Sequence, residues 1–210
     1  NLVSLSGALS TKEFEMLTEG NVQVLEAKSS GVPLVKNQLL EFDLRLSVDK
    51  HKGETVVPAA IINIGGLPFE IDGKLDRDSL FFHITSKSIK LTDAVEKLAI
   101  KDTKETLNKF EGKGVLDFDL TIDGGTDVSS PVNISCFFSI KDGQIREPLE
   151  NIKLTNIQLK GHYTKSETFK EELVLETVSL QSATGPFRGS LSIVDFNNPR
   201  WTGSAHGVVN

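Results

Sequence analysis

Apolar and polar residues alternate along three long stretches of the chain. Leu40, Phe42, Leu44, Leu46 and Val48 alternate with Glu41, Asp43, Arg45, Ser47 and Asp49, and Leu116, Phe118, Leu120 and Ile122 alternate with Asp117, Asp119, Thr121 and Asp123. In the third stretch Val132, Ile134, Cys136, Phe138 and Ile140 stand against Asn133, Ser135, Ser139 and Lys141, with Phe137 the one apolar residue on the polar side. Successive side chains of a strand point to opposite sides of the pleat, so this alternation predicts strands with one covered and one wet face. Such strands belong to antiparallel sheets open to water on one side.

Less regular segments extend the pattern. Phe69, Ile71 and Leu75 share a parity with Gly73; after Asp76-Arg77-Asp78 come runs from Leu80 to Ile84 and Ile89 to Leu91, which predicts a hairpin. Ile152 and Leu154 lie on one parity but Ile157 and Leu159 on the other. A switch across Thr155-Asn156 is what a bulge produces, with strong curvature of the sheet there. Further strands are expected at about 21–27, 55–64, 171–180, 185–195 and 201–209.

One stretch reads as helical. From Asp93, the residues Val95, Leu98 and Ala99 recur at helical spacing, Asp93 with Glu96 makes a capping-box-like start, and Asp102 with Glu105 repeats that start before Leu107 and Phe110. One helix or two short ones are expected over about 93–109, stopped by Gly112 and Gly114. Two short echoes also occur: Gly66 to Leu75 is similar to Gly185 to Leu191, and Phe42-Asp43-Leu44 returns as Phe118-Asp119-Leu120.

Composition narrows the class. The 210 residues are 38% hydrophobic and 25% charged, an ordinary globular balance that excludes disorder and collagen. The expectation is a single β-rich domain over residues 1–210. No run of about 18 uninterrupted apolar residues occurs. The chain begins at Asn1, and Trp201 to Val209 still reads as strand, so it is expected to be a piece of a longer protein. A net charge of −6 argues against a grip on phosphate backbones, so nucleic acid is not an expected partner. Cys136, the single cysteine, can form neither an internal disulfide nor a cysteine-based zinc cluster.

The search for reactive groups finds little. No Gly-x-Ser-x-Gly elbow exposes a nucleophile, and His51, His83, His162 and His206 are scattered without ligand spacing, each reading as a surface or edge residue. Asp117 and Asp119 share a strand face with Asp123 and Asp127 beyond it, but the loop lacks the spacing that folds oxygens around calcium. Gly112-Lys113-Gly114 lacks the spacer and the Lys-Ser/Thr of a nucleotide loop. The sequon Asn133-Ile134-Ser135 lies inside a strand pattern rather than a loop. No catalytic residue, metal or cofactor is expected, although a carboxylate pair for glycoside hydrolysis leaves no mark in sequence. Trp201 and Tyr163 are the only residues of their types, too few for an aromatic carbohydrate platform, and most of the 12 Phe fall on apolar parities.

An amphipathic sheet must cover its apolar face with a second sheet or with helices. With so little helix, the expected fold is mainly β: curved antiparallel sheet or sheets forming an open groove, half-barrel or sandwich, with one or two short helices. On the residues alone, closure of the sheet on itself is favoured over an open trough for acyl chains.

The order of segments carries a resemblance. A Gly-x-Pro-Phe-x-Ile-x-Gly-x-Leu strand, a hairpin partner, a short helix at Leu91-Thr92-Asp93-Ala94-Val95-Glu96-Lys97-Leu98 and then Gly112 to Leu120 resembles the AsmA-like proteins of Gram-negative envelopes. Val178 to Asn198 looks like another stretch of that family, and the resemblance spans roughly residues 55–209. It implies a non-enzymatic periplasmic segment of a protein anchored in the inner membrane by a part absent from this chain. It also implies outer-membrane biogenesis or lipid transport between membranes, with phospholipid or another lipid and envelope proteins as partners. The expected groove-lining residues are Leu40, Phe42, Leu44, Leu116, Phe118, Leu120, Ile122, Ile134 and Phe138. Alternatives are a secreted or surface β-sandwich adhesion or ligand-binding module, and a hydrolase.

Overall fold

The computed structural model describes residues 2–6, 12–29, 32–98, 111–127, 130–148, 152–167 and 171–208. The strands are β1 (Leu2–Ser6), β2 (Glu13–Ser29), β3 (Val32–Asp49), β4 (Glu54–Ile64), β5 (Leu67–Leu75) and β6 (Ser79–Lys90). After helix α1 (Leu91–Leu98) come β7 (Glu111–Gly125), β8 (Val132–Glu147), β9 (Ile152–Lys165), β10 (Glu172–Ser182), β11 (Gly185–Val194) and β12 (Arg200–Gly207). They form one antiparallel sheet in which spatial order follows chain order, and the sheet is not closed into a barrel. The favoured expectation of self-closure is thereby corrected, because the first and last strands are the two ends of the order and do not pair. Short turns explain the meander. Between β4 and β5, Gly65 and Gly66 both have positive φ (58° and 77°), the backbone of a two-residue turn whose twist matches that of the strands it joins.

The chain divides into two compact units. The first comprises Asn1–Ser86, Lys97–Ile100 and Thr121–Val132. Its core follows from cross-strand register, because directly opposed residues share a face. Gly20, Phe42, Ile62 and Phe69 make one row across β2 to β5, and Val22, Leu40, Ile64 and Leu67 make the next. Ile62, Leu67 and Phe69 are its most buried apolar residues, at 7%, 5% and 3% exposure. Pro58 stands inside β4, where the register shifts between Val57 and Ala60. A proline cannot donate to the ladder, and an extra residue at a bulge is where a strand can hold one. The predicted hairpin is β5 with β6, in register from Glu70 opposite Thr85 to Leu75 opposite Leu80.

The second unit comprises Lys87–Glu96, Lys101–Leu120 and Asn133–Asn210. The parity switch at Thr155-Asn156 is a bulge: Ile157 opposes Gly143 whereas Leu154 opposes Ile145, and Asn156 has φ 53°. Two further shifts lie beside it, one between Ile140 and Gly143 on β8, where Asp142 has φ 52°, and one between Leu175 and Val178 on β10. Asn and Asp are the side chains that tolerate this left-handed backbone best. Each inserted residue moves the apolar positions from one parity to the other, so the same face stays apolar on both sides of the bulge. Thus Leu173 and Leu175 hand over to Val178 and Leu180 across Glu176-Thr177, which are both exposed.

The short helix expected over about 93–109 is described from Leu91 to Leu98, and the rest of that span lies outside the described residues. Gly112 and Gly114, expected to follow the helix as its stop, lie inside β7. Gly114 serves close backbone approach instead, having φ 141° and leaving a position where a Cβ would stand 3.0 Å from the Gly143 Cα. The two echoes have a structural reading. Leu67–Leu75 and Gly185–Val194 are each the second strand of a tight hairpin, so they share turn and strand vocabulary.

Candidate functional site

The candidate site is the apolar side of the sheet, described separately in the two units. In the first, Leu40, Phe42 and Leu44 alternate with exposed Glu41, Asp43 and Arg45 and are all half-buried. They share their face with Val22, Ile62, Ile64, Leu67 and Phe69 through the rows above. Ile122 is half-buried on the stretch of β7 that belongs to this unit.

In the second unit Leu116, Phe118, Leu120, Ile134 and Phe138 are half-buried. Lys141 Nζ donates to Asp117 Oδ2 at 2.7 Å. That bridge puts the polar parities of β7 and β8 on one side, so Leu116 and Phe118 share the other side with Phe138 and Ile140. Rows then run outward from β8: Cys136, Tyr163, Leu173, Ile193 and Trp201, then Phe138, Gly161, Leu175, Leu191 and Gly203. Ile134 stands opposite Lys165, whose ammonium pairs with Glu171 at 2.8 Å, so this residue marks a charged margin. Of the nine expected residues, Leu40, Phe42, Leu44 and Ile122 belong to the first unit and Leu116, Phe118, Leu120, Ile134 and Phe138 to the second.

The faces are thinly covered. Among the described residues only Ile62, Leu67, Phe69, Ile89, Ala94 and Ile157 are buried apolar residues, and no large side chain falls below 2% exposure. A packed domain buries its Leu, Ile and Phe against a second layer. Here α1 is the one helix among the described residues, eight residues long, with its Lys97 carbonyl accepting a bond from Gln38 Nε2.

The opposite side is a lattice of charge. Besides accepting from Lys141, Asp117 takes the Ser88 backbone N–H at 2.7 Å, and these two bonds hold its carboxyl below the ordinary carboxylate value. His162 Nδ1 lies 3.0 Å from Glu176 Oε1, with the off-parity ring of Phe137 packed at 5.6 Å from the imidazole. His83 meets Asp72 at 3.1 Å, while His51 and His206 are exposed. The Asp117 carboxylate considered for calcium is thus engaged by a lysine and a backbone amide. Among the described residues no group of three or more His, Cys, Asp or Glu could hold a metal ion.

Sequence reasoning missed part of the apolar face. Tyr163, Leu173, Leu175, Leu191 and Ile193 line it with Phe138, and β10 carries the same signal that was legible at Thr155-Asn156, a switch of parity inside one strand. Burial pushes two groups on this face up from their ordinary values: the Cys136 thiol, aided by the charge of Asp119, and the Tyr163 phenol, aided by Glu171. No family model, curated protein or solved structure matches the chain.

Proposed function

We propose that the chain is a non-enzymatic lipid-handling segment that offers the apolar side of its sheet to acyl chains. The observation that carries this reading is that, among the described residues, little covers the apolar side in either unit: Leu40, Phe42, Leu44, Leu116, Phe118, Leu120, Ile122, Ile134 and Phe138 all stay half-buried. Each Å² of apolar surface left in water costs about 25 cal/mol, which an acyl chain laid on the face would recover. Apolar surface left uncovered by a second layer is a candidate binding site. The resemblance of the sequence to AsmA-like proteins carries the further proposal of a periplasmic place in outer-membrane biogenesis or lipid transport.

The test is native mass spectrometry of the chain purified gently from a Gram-negative host, followed by solvent extraction and lipid analysis. Phospholipid at defined stoichiometry, lost on Phe118→Asp with Leu120→Asp while the circular dichroism is unchanged, is the expected result. A clean apo mass overturns it and returns the adhesion or ligand-binding module.

A further inference from the structure

Strand β12 ends the strand order, and among the described residues nothing pairs with its outer edge. A bare edge is a row of backbone N–H and C=O groups, which proteins blunt with charged side chains, above all lysine, with proline or with bulges. Beyond Arg200 at its first position, β12 carries none of these. It reads Arg200-Trp201-Thr202-Gly203-Ser204-Ala205-His206-Gly207, every residue exposed. Its register with β11 runs unbroken from Gly207 opposite Phe187 to Arg200 opposite Val194. Trp201, Gly203, Ala205 and Gly207 stand on the apolar side, and Thr202, Ser204 and His206 on the other. Trp201 is 74% exposed although it ends the row of Tyr163, Leu173 and Ile193.

The strand is complementary to itself. An antiparallel copy laid along this edge keeps the two apolar sides together only where paired positions share a parity. Centred on Ser204, the pairs are Trp201 with Gly207, Thr202 with His206, Gly203 with Ala205, and Ser204 with its own copy. Each Trp201 ring then lies across a glycine, the arrangement that Phe138 makes with Gly161 and Phe82 with Gly73. It also reaches an aromatic neighbour, because a Cβ on Gly207 would stand 3.1 Å from Phe187 Cδ2. Other centres fit worse: Gly203 sets Arg200 against His206, and Ala205 leaves Trp201 beyond the paired residues. Charge permits the contact as well. Two chains of net charge −6 repel, yet β12 holds no carboxylate side chain, and the two Arg200 fall at opposite ends of the paired strands. We infer that β12 pairs with β12 of a second copy of this chain, antiparallel about a two-fold axis at Ser204. The contact uses a backbone edge and does not depend on the lipid-handling reading.

Analytical ultracentrifugation of the 210-residue chain over a range of concentrations tests this, together with the emission of Trp201, the only tryptophan. The expected result is a monomer–dimer equilibrium in which the emission moves to the blue as dimer forms. Ser204→Lys and Ser204→Glu each place like charges directly opposite one another, and each should weaken dimerisation at least about tenfold with the circular dichroism unchanged. An equimolar mixture of the two variants opposes lysine to glutamate and should restore the dimer. A chain that stays monomeric throughout the range overturns the inference, and so do variants that dimerise like wild type. A mixture that associates no better than either variant alone also overturns it. Growth past the dimer overturns it in favour of head-to-tail pairing between unlike edges.

Discussion

Phe138 lies over Gly161, its cross-strand partner: a Cβ built on Gly161 would stand 3.0 Å from the Phe138 Cζ and would overlap the Val174 carbonyl oxygen. The first unit repeats the device, with Phe82 opposite Gly73 and its ring filling the place where a Cβ would stand. A ring laid across a glycine covers backbone that would otherwise face water, and it pins the register of the two strands. On a face with no second sheet above it among the described residues, this is how an aromatic side chain finds packing partners within its own layer.

Gly161→Ala is therefore expected to lower stability by about 1–3 kcal/mol, the cost of forcing atoms into filled space. Gly112→Ala is the control, since nothing lies within 4 Å of the added atom. Its effect should stay within about 0.5 kcal/mol. Urea unfolding of the two variants decides the matter, and equal effects would show that the ring simply moves aside.

Asp117 links β7 to Lys141 and to the Ser88 amide, and its carboxyl is held below the ordinary 3.8 by those bonds. A depressed folded pKa stabilises the fold above the unfolded value, and the contribution is lost as pH falls through the lower folded value. Lys141 is well exposed, so Asp117→Asn should cost less than about 1 kcal/mol near pH 7. The gap between wild type and variant should close well below pH 3.8. Unfolding curves at both pH values test this, and a gap that does not shrink would exclude the ionised pair as its source.

Burial raises the Cys136 thiol above its ordinary 9.0, which leaves little thiolate at neutral pH. Alkylation should run slower than that of free cysteine and recover in denaturant. Cys136 shares its row with Tyr163 and Leu173, so a phospholipid laid on the face should slow the reaction again. Labelling rates with and without added lipid measure this, and no change on lipid addition would place the acyl chains elsewhere.

Most strands were legible because alternation is written residue by residue: Leu40 to Val48 and Leu116 to Ile122 needed no partner to declare their parity. Thr155-Asn156 was legible as a bulge for the same reason, and the structure adds that Asn156 takes the left-handed backbone. Gly114 misled, because a glycine that ends a helix and one that lets β7 approach Gly143 read alike in sequence. The β10 bulge at Glu176-Thr177 passed unnoticed although its parity switch is as clear as the other.

The sequence by itself determined that this is an antiparallel β protein with amphipathic strands, because side-chain alternation is local to each strand. Tertiary structure alone decided which apolar residues share a row, as Phe138 does with Gly161 and Leu175, since register depends on turns and bulges that act on two strands at once. It alone decided that the sheet stays open, because an alternating pattern looks the same whether the apolar face meets a second sheet or meets nothing.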